Sequence, residues 1–177
     1  MVEEKYCCLY VNNMHLIVML IPYIEKVLEG NEIITVFEES LENEVSVFLN
    51  KVNMSKSKKN KLKKVQWNQC LLSDEQIKNI RGKIVLIKGS YDFVKNINEC
   101  LEKYGENKII NCFKLEEFEE NSREILEKHD AILNTLGVKK ISEMFKTNAK
   151  MGMKFWFIKC FQMIGWKIVQ ELEKDDR

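Results

Sequence analysis

The 177-residue chain has little of what marks several common protein classes. It has one proline and two histidines, and it contains neither G-x-G-x-x-G nor G-x-x-x-x-G-K-[ST]. These glycine patterns bind dinucleotides and nucleoside triphosphates, respectively. Without them, the sequence gives no motif support for either kind of nucleotide site. No apolar run reaches the roughly 20 residues that cross a bilayer. The formal net charge of +1 gives no overall attraction to nucleic acid or to an acidic substrate.

The six cysteines form no C-x-x-C pair, so their spacing predicts neither a redox motif nor a metal site. Cys7 and Cys8 are neighbours on a predicted strand, where successive side chains point to opposite faces, and we interpret both as packing residues. The first residues lack the basic and then apolar layout of a signal peptide. The sequence therefore predicts a cytoplasmic location, no metal and no identifiable cofactor.

Residues 83–94 predict a strand, a tight turn and the start of a helix, around which the rest of the chain is organised. The unbroken apolar run from Ile84 to Ile87 is typical of a strand covered on both faces. Gly89 permits a sharp turn, and Ser90 is a good N-cap for a helix that runs to Tyr104. A strand that is covered on both faces must pair with other strands in a sheet, so we expect further strand and helix units in the chain.

The same alternation of strand and helix recurs along the chain. Strands are predicted at 6–11, 32–37, 108–113 and 131–133, and helices at 14–28 with a kink at Pro22, after an N-cap at Ser40, and at 116–128. We predict an α/β fold, a three-layer Rossmann-like domain at residues 1–140 with a mostly parallel sheet of about five strands. Residues 141–177 are predicted to form a C-terminal helical extension. A capping box at Ser73–Gln76 predicts a short additional helix.

The stretch from Lys51 to Lys64 contains seven lysines and no acidic residue. We interpret it as a solvated flexible loop that could lie against the acidic helix at 116–130 of the same or another subunit. Contact with phosphates is the other interpretation, and it would give a nucleic-acid accessory protein. The stretch lacks interleaved aromatic side chains for base stacking, and we do not expect nucleic acid as the partner.

Ligands of open parallel sheets bind beyond the carboxyl ends of the strands, which nominates the polar residues after each predicted strand. The turn at Gly89 is either a simple turn and cap or a place where free N–H groups receive an anion. His129 follows a helix whose dipole favours a protonated imidazole, and we interpret it as structural. No catalytic residue is predicted. The candidate ligand-binding residues are Asn12, Asn13, His15, Glu38, Glu39, Ser40, Gly89, Ser90, Asp92, Lys114, Asn134 and Thr135.

The stretch from Met151 to Ile168 is apolar nearly all the way round a helix. One face would pack on the home core, which leaves Phe155, Ile158 and Trp166 to be covered. A partner subunit is one cover, burial beneath the N-terminal helix is a second, and a membrane surface is a third that we do not expect. We therefore predict a homo-oligomer or a protein partner that docks on this segment.

The first 50 residues resemble the start of the MEDS sensory domain of methanogen and methylotroph regulators. The resemblance rests on a strand, a proline-containing helix, a glycine and a second strand, at Cys8-Leu9-Tyr10, Ile21-Pro22-Tyr23-Ile24, Leu28-Glu29-Gly30-Asn31-Glu32 and Ile33 to Phe37. It implies the sensing of a small organic molecule and supplies no catalytic residue.

These observations lead to a main hypothesis and an alternative. The main hypothesis is a small cytoplasmic sensory or regulatory domain that binds a small ligand at the strand ends and self-associates through its C-terminal helix. The alternative is a nucleotide- or phosphate-using enzyme with a degenerate loop at Gly89-Ser90.

Overall fold

The computed structural model describes residues 4–69, 77, 79–105 and 107–146. Their six strands form one sheet in the order β2-β3-β4-β1-β5-β6, in which β6 is antiparallel to β5 and the other neighbours are parallel. This is the predicted Rossmann-like three-layer α/β fold with a mostly parallel sheet. The strands are β1 (Glu4–Tyr10), β2 (Ile33–Phe37), β3 (Ile84–Lys88), β4 (Lys108–Lys114), β5 (Ala131–Asn134) and β6 (Gly137–Lys140). The described helices are α1 (Asn13–Val27), α2 (Glu42–Lys51), α3 (Lys56–Lys63), α4 (Tyr91–Leu101), α5 (Leu115–Glu127) and α6 (Ile141–Lys146).

Helices cover both faces of the sheet. Asn111 of β4 bonds to Asn98 of α4 and contacts His129, which follows α5, so these two helices lie over the face that carries Asn111. Lys108 is an odd number of residues away and therefore belongs to the opposite face. There it interacts electrostatically with Tyr23 of α1, and α1 in turn contacts α2 and α3.

Strand β3 occupies an interior position between β2 and β4, and every residue of it is buried. The prediction of a fully covered strand at residues 84–87 is confirmed. Its register pairs Ile84 with Ile33 on one side and with Lys108 on the other. The turn and helix that follow β3 are thereby fixed at the carboxyl edge of the sheet.

Helix α1 runs through Pro22 as one helix, as predicted. Its N-cap is Asn12, whose side-chain oxygen accepts the backbone N–H of His15 at 2.9 Å. Gly30 follows the helix with a φ of 101°, a backbone conformation that favours glycine, and it turns the chain into β2. Helix α2 begins one residue later than the predicted cap implies, although Ser40 Oγ still accepts the N–H of Glu42 at 3.2 Å.

The prediction of a flexible lysine-rich loop was wrong. Ser55 caps helix α3, and Leu62 on this helix is fully buried. Lys58 and Lys61 pair with Glu25 and Glu29 near the end of α1, and not with the acidic helix α5. The helix forms because one buried leucine and one cap order a segment whose other side chains remain in water.

The predicted strand count needs correction at the end of the described chain. Strand β6 was not predicted, so the sheet has one strand more than expected among the described residues, and α6 begins directly after it and contacts β5 and β6. The capping box at Ser73–Gln76 and the interface residues Phe155, Ile158 and Trp166 lie outside the described residues.

Candidate functional site at the carboxyl edge of the sheet

The carboxyl ends of the five parallel strands meet at one edge of the sheet. Strands β4 and β1 are neighbours, but the chain leaves β1 into α1 on one face and leaves β4 into α5 on the other. The two connections leave this point of the edge on opposite faces, and open α/β sheets bind ligands at such points. The sequence-nominated residues therefore lie at the expected edge, and their contacts divide them into separate groups.

The first group joins the loop after β2 to the turn after β3. Glu38 Oε2 accepts the backbone N–H of Ser90 at 2.7 Å, and the N–H of Glu38 donates to the carbonyl oxygen of Lys88 at 2.9 Å. A Cβ atom on Gly89 would lie 2.8 Å from Glu38 Oε2 and 2.4 Å from Cδ1 of Phe93. Glycine is thus required here because the glutamate and the phenylalanine approach the backbone closely.

The N–H groups of Ser90, Tyr91 and Phe93 at the start of α4 already have acceptors. Besides Glu38, Glu117 Oε2 accepts the N–H of Tyr91 at 3.2 Å, and Ser90 Oγ accepts the N–H of Phe93 at 3.4 Å. Ser90 is the N-cap that the sequence predicts. The turn is a capped helix start covered by the protein's own carboxylates, and an external phosphate would have to displace them.

Sequence reasoning missed Lys88, the last residue of β3. Its side chain is 1% exposed, and its Nζ lies 3.0 Å from Oε2 of Glu39, whose side chain is 63% exposed. The hydrogen bond and the charge of Lys88 hold the pKa of Glu39 below its usual range, and Lys114 at the end of β4 adds to this effect. The signal in the sequence was a lysine that directly continues an apolar strand, with two glutamates after the preceding strand.

The second group surrounds the turn from β1 into α1 and includes Asn12, Asn13 and His15. The His15 side chain is buried, its Nδ1 accepts the N–H of Val11 at 3.2 Å, and burial lowers its pKa. Asn13 Nδ2 donates to Oε1 of Glu44 on α2 at 3.1 Å. These contacts give His15 and Asn12 a structural role in holding the turn.

The remaining nominated residues do not join either group through a described contact. Asp92 is exposed on the first turn of α4. Asn134 Oδ1 accepts the N–H of Leu136 at 2.9 Å, and this bond closes the turn that contains Thr135 and leads into β6. The site that the geometry supports is therefore narrower than the predicted set and centres on residues 38–39 and 88–90.

A polar cluster away from this edge lies between α4 and α5. Asn98 and Asn111 exchange two hydrogen bonds at 3.0 and 3.2 Å, and Asn111 Nδ2 lies 2.9 Å from Nε2 of His129. Nδ1 of His129 contacts the carbonyl oxygen of Ile125, and burial lowers the pKa of His129 to about 4. The expectation of a protonated helix-end imidazole was wrong, because burial outweighs the helix dipole.

The same cluster borders a cavity of about 40 Å³ between the two helices. Tyr91, Phe113 and Lys128 contribute to its lining. This volume has room for a few water molecules, whereas small-molecule sites usually measure some hundreds of Å³. We therefore do not place the ligand there.

No family model, curated protein or solved structure matches this chain.

The described cysteines are free thiols. Cys8 and Cys112 are register partners on β1 and β4, and both are buried. Burial raises the pKa of the Cys7 thiol, so that it stays protonated and unreactive. Among the described residues, no group of three or more histidine, cysteine or carboxylate side chains is placed to hold a metal ion. Also within that part of the chain, no helix is long and apolar enough to cross a membrane.

Proposed function

We propose that the chain is a small sensory or regulatory domain that binds a small ligand at the carboxyl edge of its sheet. The observation that carries this proposal is the pair of contacts between Glu38 and Ser90 and between Glu39 and Lys88. They bring charged groups from two strand ends together at the edge of the sheet where the connections from β4 and β1 diverge. A MEDS-type sensory domain remains our proposal for the family.

The use of the histidines supports binding in preference to acid–base catalysis. His15 and His129 are the two histidines of the chain, and both hold backbone or amide groups inside the fold. Burial lowers the pKa of each, which favours a neutral, structural imidazole. The free thiols Cys7, Cys8 and Cys112 support the proposal of a reducing, cytoplasmic compartment.

A thermal-shift screen against nucleotides and small metabolites tests the binding proposal, because a ligand specific to the folded state raises the Tm. Lys114→Met removes a charge at the carboxyl edge, and Lys103→Met is the matched control after α4, at the opposite edge. We expect a ligand-induced rise in Tm that is smaller in Lys114→Met than in Lys103→Met. The proposal fails if no compound raises the Tm, or if the two variants respond equally to every compound that does.

We also propose that the domain self-associates through residues 141–177. The support is the surplus of apolar side chains at Phe155, Ile158 and Trp166, since large apolar patches mark interfaces. Size-exclusion chromatography with light scattering compares the wild type with Trp166→Glu. A loss of the oligomer in the variant is expected, and a wild-type monomer that Trp166→Glu leaves unchanged would remove this half of the proposal.

A further inference from the structure

Lys88, the last residue of β3, is buried. Within the described part of the chain, it is the one lysine, arginine or carboxylate side chain that is buried. Lysine is rarely buried without a partner, because transfer of an ammonium group from water into the protein costs several kcal/mol. The folded domain is therefore favoured by a partner of opposite charge next to Lys88.

The partner that the structure provides comes from outside the core. Glu39 lies on the loop after the edge strand β2, and its carboxylate reaches Lys88 Nζ from a side chain that is 63% exposed. Because Lys88 and Lys114 hold its pKa below the usual range, Glu39 is charged at neutral pH. The cation is fixed in the core, whereas its anion is on the surface and can move into water.

A second carboxylate of the same loop behaves in a similar way. Glu38 covers the N–H of Ser90, two residues beyond Lys88. The loop after β2 thus places two adjacent carboxylates on an ammonium group and on a nearby backbone N–H group at the carboxyl edge. The carboxylates of Glu38 and Glu39 therefore occupy the hydrogen-bond donors of the proposed site.

We propose that the ligand of this site carries an oxyanion, a carboxylate or a phosphate, which replaces Glu39 at the ammonium group of Lys88. The inference rests on the proposed function and adds the chemical class of the ligand. Exchange of one oxyanion for another keeps Lys88 paired and returns Glu39 to water. A neutral ligand at the same place would leave a buried charge without a partner, and a cation would be repelled.

This mechanism predicts opposite effects for the two members of the pair. Glu39→Gln removes the competing charge, so it is expected to tighten the binding of an oxyanion by about threefold or more. Lys88→Met keeps a side chain of similar length without its charge and is expected to abolish the binding. The exposed pair Lys61 and Glu29 supplies matched controls, Lys61→Met and Glu29→Gln, in which binding should equal that of the wild type.

The probes are sodium acetate, sodium succinate and inorganic phosphate, with succinamide as the neutral and putrescine as the cationic comparison. Ionic strength is held constant with sodium chloride, and both the Tm and the Kd are measured for the wild type, Glu39→Gln, Lys88→Met and the two controls. Stabilisation by an acid that increases in Glu39→Gln and vanishes in Lys88→Met supports the inference. The acetate and succinate arms, compared with the phosphate arm, identify which oxyanion the site prefers.

Three results would overturn the inference. One is stabilisation by succinamide or putrescine and not by the acids, which would leave the proposed function standing with a different ligand class. Another is an acid effect of equal size in all variants, since that is a general salt effect. The third is no effect of any probe on wild type or Glu39→Gln, in which case the wider metabolite screen still decides the proposed function separately.

Discussion

The polar cluster of Asn98, Asn111 and His129 predicts a specific dependence of stability on pH. The side-chain NH₂ group of Asn98 donates to the carbonyl oxygen of Val94 and to Oδ1 of Asn111. The side-chain NH₂ group of Asn111 donates to Oδ1 of Asn98 and to Nε2 of His129. Nδ1 of the same ring contacts the carbonyl oxygen of Ile125. This arrangement needs a neutral imidazole with its hydrogen on Nδ1, because a proton on Nε2 would face the amide hydrogens of Asn111.

Protonation of His129 therefore favours the unfolded chain. Burial is the main cause that lowers its pKa to about 4, from 6.5 in an unstructured chain, and the contact with Ile125 opposes it. Lys5 and Lys128 lower the pKa further, while Asp130 raises it. Between these two pKa values the unfolded state binds more protons than the folded state, so stability falls as pH falls from about 6.5 to about 4. The loss from about pH 7.5 to about pH 5 is about 2 kcal/mol.

Urea unfolding at the two pH values measures this loss, with His129→Gln as the comparison. His129→Gln should lower the free energy of unfolding at both pH values. It should also reduce the difference in this free energy between pH 7.5 and pH 5 by about 2 kcal/mol. Asn111→Ser, which removes the amide that opposes a proton on Nε2, should reduce the difference in the same direction. His15 also has a lowered pKa, and its contribution cancels because it is present in every variant. An equal pH dependence in the wild type and His129→Gln would refute the reasoning.

Other predictions concern packing. Gly89→Ala places a Cβ 2.4 Å from Cδ1 of Phe93 and should lower the free energy of unfolding by about 1–3 kcal/mol in urea unfolding. Leu62→Ala should cost about 2–5 kcal/mol in the same assay because Leu62 is fully buried, whereas Lys63→Ala next to it should cost less than about 0.5 kcal/mol. Tyr23→Phe should leave the Tm unchanged or raise it, because the hydroxyl group of Tyr23 is buried and has no hydrogen-bond partner among the described residues.

Each of these packing predictions has a clear contrary result. A Gly89→Ala variant as stable as the wild type would show that the turn does not require the close approach of the phenylalanine. Equal, small effects of Leu62→Ala and Lys63→Ala on the free energy of unfolding would instead support a flexible loop in the lysine-rich stretch. A Tyr23→Phe variant that loses more than about 1 kcal/mol would reveal a hydrogen bond to the hydroxyl group.

The sequence predicted the fold well where its signal was local. The apolar run from Ile84 to Ile87 identified a buried strand, and Ser90 identified the cap of the helix that follows it. Strand β6 was missed because it has four residues, of which Lys139 and Lys140 are charged, so no apolar alternation marks it. Helix α3 was not predicted because seven lysines dominate the stretch, whereas its only helix signals are the cap Ser55 and the buried Leu62.

The candidate site was predicted in position and incompletely in its residues. The carboxyl ends of parallel strands must share an edge, so the loops that meet there follow from the strand order. The contacts of Lys88 and His129 do not follow, since their partners lie 49 residues away at Glu39 and 18 residues away at Asn111. No periodic pattern encodes such pairs, and only the folded chain shows them.

The central claim is that a small ligand binds at the carboxyl edge of the sheet, over the loop after β2 and the turn after β3. Hydrogen–deuterium exchange with and without the most stabilising compound of the screen tests it most directly. We predict that the ligand slows exchange in residues 10–15, 38–41 and 88–93 and leaves the region between α4 and α5 unchanged. Protection confined to any other part of the chain would contradict the account.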